Sequence, residues 1–330
     1  MKIVSTFAVL TLLASPLSAQ AAGGGAAPAA AAVSSAQHFH PKGKMPSEYT
    51  LKALEASRKT LPFSDRRDFE EDEKGFIAAP DFWQIKNADG AVVWDMERYK
   101  FFLEDTNFPS IHPSLQRQST LNLNYGLYEV IDGVYQVRGF DLANISFVKG
   151  DTGWIIFDPL TAEETARAAL ELVNEKLGKF PVKAVVYSHS HGDHWGGVRG
   201  IVDEADVRSG KVQIIGPRDF MLHTISENDY AGNAMNRRLF YQYGILLPAS
   251  PFGHAGQGLA QNVAAGNVTL IAPTIVIEDD IEELTVDGVK MVFQNTPGTE
   301  APSEMNTWFP DKKLLWTAEN VTGTFHNIYT

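Results

Sequence analysis

A short stretch after a hydrophobic run concentrates side chains that bind metal ions. Four such side chains fall within six positions: His189, His191, Asp193 and His194. The whole chain has nine histidines in 330 residues, so three of them beside one aspartate exceed what chance would place on a surface loop. Imidazole nitrogens and carboxylate oxygens are ordinary zinc ligands, and a metal with an open coordination position is catalytic. The stretch therefore predicts a catalytic metal site.

The flanking residues place these ligands at the end of a strand. Pro181 to Tyr187 is rich in β-branched and aromatic residues, which predicts a buried strand, and Trp195 onward predicts the start of a helix. In α/β proteins, ligands bind at the carboxyl ends of strands. His189 and His191 would point the same way because strand side chains alternate, whereas the two ligands beyond Gly192 could face a second point. This arrangement suits two adjacent cations better than one.

The chain around the motif alternates between strands and helices. Asp132-Gly133 lies between two alternating runs and predicts a hairpin, and Gly150 to Gly153 predicts another. Thr161 to Leu177 predicts a helix, with Thr161 as its N-cap. Strand, helix, strand and metal loop in this order predict an α/β fold and one half of an αββα sandwich.

Three stretches together resemble a known family. His-x-His-x-Asp-His after a strand, followed by Gly196-Gly197, is similar to the signature of the metallo-β-lactamase superfamily. Asn295 to Met305 (NTPGTEAPSEM) and Thr317 to Thr322, running on into His326 to Thr330, resemble its alkylsulfatase branch. The resemblance extends from about Pro41 to the last residue. It implies a metallo-β-lactamase-like αββα sandwich and hydrolysis of alkyl sulfate esters to an alcohol and sulfate by a metal-activated water.

The resemblance also implies a ligand set for two zinc ions per complete site. Its members are His189, His191, Asp193, His194, Glu300 and Glu319. Glu300 would join the first metal with His189 and His191, and Glu319 would bridge both metals. Asp193, Glu300 and Glu319 are the implied catalytic groups. Without the family resemblance, Glu300 and Glu319 would each be interpreted as a surface carboxylate rather than as a metal ligand.

Three further residues are candidates for binding the substrate. Asn327 matches a position that helps to hold the sulfate group in the family, since an amide donates a hydrogen bond without adding charge. A hydrogen-bonded loop asparagine is the alternative. Arg237 and Tyr241 belong to a segment of arginines and aromatics that could line a substrate entrance or, alternatively, form a plain packing helix.

The chain departs from the family at its end. Family members continue past the position of Thr330 with an arginine for the sulfate, a further histidine for the second metal, a helical dimerisation domain and a lipid-carrier-like domain. We therefore expect a C-terminally truncated sandwich, with apolar faces uncovered and a sheet edge open. Full-length members would be homodimers.

Two other functions remain possible on these residues. One is another hydrolase of the same superfamily, acting on a lactam or a thioester, although such relatives normally have histidine where Thr-Glu-Ala-Pro supplies Glu300. The other is an inactive metal-binding fragment. The number of metal ions bound and the release of sulfate would distinguish these two functions from that of an alkylsulfatase.

The N-terminal region carries signals for export. Residues 1–22 begin with Lys2 and continue through an apolar core to a small-residue cleavage site, which predicts a signal peptide and a periplasmic or secreted protein. This core is too short to span a bilayer. Residues 23–40 predict a flexible linker, residues 41–124 a segment that wraps the core, and residues 125–330 the partial metallo-β-lactamase-like domain.

Composition narrows the range of partners. The 28 basic and 40 acidic residues give a net charge of −12 without a basic block, which argues against nucleic acid. Cysteine is absent, so no disulfide can stabilise an exported form of the chain. The expected partner is a small alkyl sulfate. Because the protein is acidic, local groups must hold any anion.

Overall fold

Strands are the most numerous elements among the residues that the structure describes. The computed structural model describes residues 39–40, 43–104 and 106–322. The strands, in chain order, are β1 (Phe39–His40), β2 (Gly43–Lys44), β3 (Phe76–Ala78), β4 (Gln84–Lys86), β5 (Val92–Asp95), β6 (Gly126–Ile131), β7 (Val134–Arg138), β8 (Ile145–Lys149), β9 (Trp154–Phe157), β10 (Val182–Val186), β11 (Gln213–Pro217), β12 (Ile275–Ile277), β13 (Ile281–Val286), β14 (Val289–Asn295), β15 (Met305–Phe309) and β16 (Leu314–Trp316).

Helices are fewer and cluster between the strands. They are α1 (Glu48–Thr60), α2 (Arg67–Asp72), α3 (Pro113–Leu121), α4 (Glu163–Leu177), α5 (Glu204–Arg208), α6 (Phe220–Ile225) and α7 (Gly232–Tyr243). Short 3-10 segments occupy Glu97–Leu103, Gly192–His194 and Val198–Gly200, and a π-helix occupies Ser226–Tyr230. Among the described residues, no helix is both long and apolar enough to cross a bilayer.

Two sheets form the centre of the fold. The larger has eight strands in the order β12-β11-β10-β9-β8-β7-β6-β3, and the smaller has four in the order β13-β14-β15-β16. In the larger sheet β9 to β12 are parallel and the other strands pair antiparallel. The smaller sheet is antiparallel throughout. Parallel strands joined through helices are the α/β arrangement that the sequence predicted.

The larger sheet is buried on both faces. Along β9, Trp154 and Ile156 join a core that also contains side chains of α4, whereas Ile155 and Phe157 join a second core with residues of the smaller sheet. The alternation follows from the two-residue period of a strand. A strand covered on both sides reads as a continuous apolar run, as β9 does. The result is a helix layer, the larger sheet and then the smaller sheet.

Both predicted hairpins are present, but one helix cap was predicted wrongly. The hairpins join β6 to β7 and β8 to β9. Helix α4 begins at Glu163, and its cap position is Ala162 rather than Thr161. The hydroxyl and amide of Thr161 instead donate to the buried carboxylate of Asp141, at 2.9 and 3.1 Å. A buried carboxylate needs donors, and this demand outweighs local capping.

The helix expected from Trp195 onward was also predicted wrongly. The chain there makes only the short 3-10 segment Val198–Gly200. A Cβ atom on Gly196 would collide with the Thr161 carbonyl oxygen, and one on Gly197 with that of Pro159. The glycines therefore let this backbone pack directly against the strand-to-helix connection before α4. Tertiary contact decides the local conformation here.

The segment of residues 41–124 lies against the rest of the fold. Its strand β3 pairs with β6 at the edge of the larger sheet, and Trp94 and Phe102 are buried in the core beside α4. At the other side of the fold, the smaller sheet exposes Ile281, Trp308 and Leu315. The predicted signal peptide, most of the predicted linker and Asn327 lie outside the described residues. The proposed domain boundaries stay predictions.

Candidate metal centre

Two loops distant in sequence are joined by backbone hydrogen bonds. The first, residues 188–194, follows β10, and the second, residues 296–304, leads into β15. The Met305 amide donates to the Ser188 carbonyl at 2.9 Å, and the Ser190 amide donates to the Ser303 carbonyl at 3.2 Å. These contacts extend the pairing of β15 onto the first loop. They bring Glu300 to the histidines.

One group of ligand atoms surrounds the Glu300 carboxylate. Its Oε2 atom lies 3.2 Å from His189 Nε2 and 3.0 Å from His191 Nδ1. Glu319 Oε2 lies 3.6 Å from the same His189 nitrogen. The four ligand atoms all fall within 4.8 Å of one another. This spacing suits a single cation at their centre.

A second group shares one residue with the first. His194 Nε2 lies 3.2 Å from Asp193 Oδ2 and 3.3 Å from Glu319 Oε2. Glu319 is thus common to both groups, as the predicted bridging role requires. The structure brings all six predicted ligands together. Their action as ligands stays a prediction.

Asp158 orients two of the imidazoles, and the sequence reasoning missed it. Its carboxylate accepts from the Ser188 amide at 2.8 Å, the Ser188 hydroxyl at 2.6 Å and His194 Nδ1 at 2.7 Å. The same hydroxyl is 2.7 Å from His189 Nδ1. With both Nδ1 atoms engaged as donors, the Nε2 atom is the one that is free of a proton in each neutral imidazole, and it can then bind a metal. Asp158 directly follows β9, the neighbour of β10 in the sheet, and this position was the sequence signal for its place beside the first loop.

Glu304 shapes the second loop and was also missed. It is buried, and its Oε2 accepts from Thr299 Oγ1 at 2.9 Å, the Glu300 amide at 2.8 Å and the Ala301 amide at 2.9 Å. The loop therefore folds around one carboxylate oxygen. Because the Glu300 amide is one of the donors, this contact helps to fix the Glu300 side chain. The motif containing Glu304 was recognised, but its role was not.

The environment of the site shifts the pKa values of its histidines in opposite directions. Burial, with the neighbouring His194 and His191, holds the pKa of His189 well below its usual range. Burial also lowers the pKa of His191, but its close contact with the Glu300 carboxylate outweighs this and raises the pKa to about 9. Burial opposes the charged form of His194, but Asp193, Asp158 and Glu319 raise its pKa well above the usual value.

The buried donor set fits a divalent cation. His189 Nε2, His194 Nε2 and Glu300 Oε2 are buried and have no hydrogen-bond partner among the described residues. Buried polar atoms are costly to leave unsatisfied. Imidazole nitrogens and carboxylate oxygens that converge within one small space satisfy each other poorly but bind a divalent metal well. The residues present therefore fit a divalent metal centre.

A cavity of about 1060 Å³ adjoins the centre on the Glu300 side. Helix α7 contributes Met235 and Arg238 to its wall. The predicted substrate-binding residues Arg237 and Tyr241 are on the same helix but are exposed and do not line it. Glu227, from the π-helix, lines the cavity and accepts from the Ser190 hydroxyl at 2.9 Å. The helix that the sequence indicated thus lines this cavity, but through Met235 and Arg238 and not through the two residues predicted to bind substrate.

Comparison with known proteins identifies the class of fold. A family model described as the metallo-beta-lactamase superfamily matches residues 138–318. The chain belongs to this superfamily, which confirms the predicted fold and implies a divalent metal.

Its nearer similarities are to alkylsulfatases. The chain is 50% identical over 280 residues to an alkyl/aryl-sulfatase of Saccharomyces cerevisiae, covering 85% of this chain and 43% of the relative. It is 49% identical to an (R)-specific secondary-alkylsulfatase of a Pseudomonas species, covering 82% and 41%. The solved structure of a stereoselective inverting sec-alkylsulfatase from Pseudomonas matches with a TM-score of 0.79 at 48% identity, covering 82% and 43%. The chain thus spans less than half the length of these relatives.

Proposed function

We propose that this chain carries the metal centre of a zinc-dependent hydrolase that converts alkyl sulfate esters to an alcohol and sulfate. The observation that carries the proposal is the meeting of Glu300 and Glu319 with His189 at distances of 3.2 and 3.6 Å. Lactam and thioester hydrolases of the superfamily normally have histidine at the position of Glu300. The similarity to proteins named alkylsulfatases supports the same reading.

The chain's own residues would bind and orient the reacting groups. Bound divalent ions lower the pKa of water toward neutrality and stabilise negative charge on substrate oxygens. Because burial keeps His189 neutral, its Nε2 is ready to act as a ligand without first losing a proton. Asp158 orients the imidazole of His194 directly and that of His189 through Ser188. Glu304 anchors the backbone that carries the Glu300 carboxylate. The adjoining cavity offers Ala231, Met235 and Pro302 as apolar contacts for an alkyl chain.

Zinc content and sulfate release test the proposal together. We expect about two zinc ions per chain after loading, as carboxylate-bridged two-metal sites hold, and release of sulfate and alcohol from octyl sulfate. Glu300→Ala should remove one zinc and abolish sulfate release. Unchanged turnover in this variant would exclude the role of Glu300. Hydrolysis of a lactam or thioester in place of octyl sulfate would indicate another member of the superfamily, and one zinc or none without turnover an inactive metal-binding fragment.

We also propose an exported location and a homodimeric full-length protein. The charged start and apolar core of residues 1–22 support export. Cell fractionation with N-terminal sequencing would test it, and a cytoplasmic protein with an intact N-terminus would contradict it. Light scattering after gel filtration measures the oligomeric state, and a monomeric full-length protein would contradict the dimer.

A further inference from the structure

The cavity beside the metal centre has an uneven charge pattern. Three carboxylates line it, those of Glu227, Glu300 and Glu319. Arg238 is the sole lysine or arginine among the described residues of its wall. Within the described part of the chain, Arg238 takes part in no ion pair or side-chain hydrogen bond. A free guanidinium therefore stands in a cavity whose other charged side chains are these carboxylates and His191, which is paired with Glu300.

The helix presents this cation together with an apolar side chain. Met235 and Arg238 are three positions apart on α7, so they share one face of the helix, and both line the cavity. Arg237 is one position away and lies on a different face, outside the cavity wall, although both arginines are exposed. Pro302, from the second loop, adds a further apolar contact to the cavity. The wall thus places a positive group beside apolar surface, as an anionic amphiphile requires.

The charge of the molecule makes this cation important for an anionic ligand. The net charge of the chain is −12, and the carboxylates of the cavity repel an anionic ligand. Metal ions neutralise the carboxylates that bind them but leave Glu227 and the outer cavity unchanged. A guanidinium offers a planar pair of N–H donors that matches two oxygens of a sulfate or sulfonate group. It can hold such a headgroup where the remaining wall repels it.

We propose that Arg238 and Met235 form a subsite that binds the charged headgroup and the adjoining chain of an anionic alkyl ester. Arg238 is then a specificity-determining residue that selects anionic over neutral amphiphiles of the same chain length. The inference rests on the proposed function for the identity of the substrate. Binding at the subsite is measurable without turnover.

The test uses the zinc-loaded chain and a sulfonate that cannot be hydrolysed. Calorimetry measures the binding of octane-1-sulfonate below its micellar concentration, with neutral octyl glucoside as the second probe. Arg238→Gln should weaken sulfonate binding about tenfold, since a hydrogen bond to a charged group contributes roughly that factor, and should leave octyl glucoside binding unchanged. Arg238→Lys keeps the charge but loses the planar fork, so its affinity should fall between the two.

Two further variants separate a local contact from overall charge. Arg237→Gln makes the same change one position away, outside the cavity wall, and its effect should be much smaller than that of Arg238→Gln. Lys52→Gln, on the exposed side of α1, should leave binding unchanged. Equal weakening by Arg237→Gln and Arg238→Gln would overturn the inference, as would a wild-type chain that does not bind the sulfonate. Zinc content and the unfolding midpoint establish that each variant is folded.

Failure of the inference and of the proposed function give different results. If the wild-type chain binds the sulfonate through Arg238 but releases no sulfate from octyl sulfate, the subsite stands and the activity is wrong. If Arg238→Gln hydrolyses octyl sulfate with an unchanged KM and binds sulfonate as the wild type does, the activity stands and the subsite is wrong.

Discussion

The two loops that meet at the metal centre are held by different means. The first loop depends on another element, because Asp158 at the end of β9 accepts hydrogen bonds from its serine and one of its histidines. The second loop also has an internal anchor, because its own Glu304 accepts from Thr299 and from two of its amides. The first arrangement fixes the orientation and tautomer of imidazoles. The second fixes the position of one carboxylate, so disturbing each loop should damage the site in a different way.

Among changes to the residues that hold the two loops, the largest effect is expected from Asp158→Asn. Asp158 has a φ of 51°, a conformation that asparagine tolerates, so the substitution tests hydrogen bonding rather than backbone strain. Its amide nitrogen would face the Ser188 hydroxyl and His194 Nδ1, which need an acceptor. We expect metal affinity to fall about 10–100-fold, as for other residues that orient metal-binding histidines. Competition with a chromophoric chelator measures it.

A matched change elsewhere shows whether this loss is specific. Asp141 is another buried aspartate with several donors, but it lies between β7 and β8, accepts from Thr161 and Thr165 and does not belong to the metal centre. Asp141→Asn should lower the unfolding midpoint and leave the metal affinity of the folded chain unchanged. If the two variants lower metal affinity equally, Asp158 acts through stability alone.

A smaller loss is expected from Glu304→Ala, on the second loop. It removes the acceptor for the Glu300 and Ala301 amides, so the loop can move and the Glu300 carboxylate loses its fixed position. We expect the affinity for one of the two metal ions to fall about tenfold and the affinity for the other ion to change little. Glu304→Gln keeps one acceptor oxygen and should bind metal nearly as the wild type does. Equal losses in the alanine and glutamine variants would show that this oxygen does not anchor the loop.

The contrast also explains what the sequence revealed. The first loop was predicted from its residues alone because its ligands are adjacent and follow a buried strand. Glu300 and Glu319 lie more than a hundred positions further along, and only resemblance to a family connected them with the histidines. Asp158 and Glu304 were missed because an acidic residue next to a turn is usually solvated, and nothing local shows that it will be buried.

The errors in secondary structure have the same physical origin. Threonine is a residue type that favours the N-cap position, but the hydroxyl of Thr161 donates to the buried Asp141 instead. Trp195 follows a turn as a helix start would, but Gly196 and Gly197 pack against backbone from another element. In each case a partner distant in sequence outweighs the local preference, and such partners are known only once the strands are ordered in the sheet.

The smallest effect concerns the ion pair between the two loops in the metal-free protein. Glu300 raises the pKa of His191 to about 9, above the roughly 6.5 of an unfolded histidine. A raised pKa contributes stability that is fully present below pH of about 6.5 and is lost as pH rises through about 9. The pKa of His194 is raised as well and acts in the same direction. The unfolding midpoint of the metal-free chain should therefore fall by a few degrees over this interval.

Metal loading should reverse the slope, because binding requires imidazoles that have lost their protons. The zinc-loaded chain should gain stability relative to the metal-free chain as pH rises from about 6.5 to about 9, since fewer protons then compete with the metal. Calorimetric scans of both forms at each pH measure the difference. His191→Asn removes the titrating group, so the fall with pH in the metal-free form should shrink in this variant. If the unfolding midpoint of the metal-free variant falls with pH as steeply as that of the wild type, groups other than His191 cause the pH dependence.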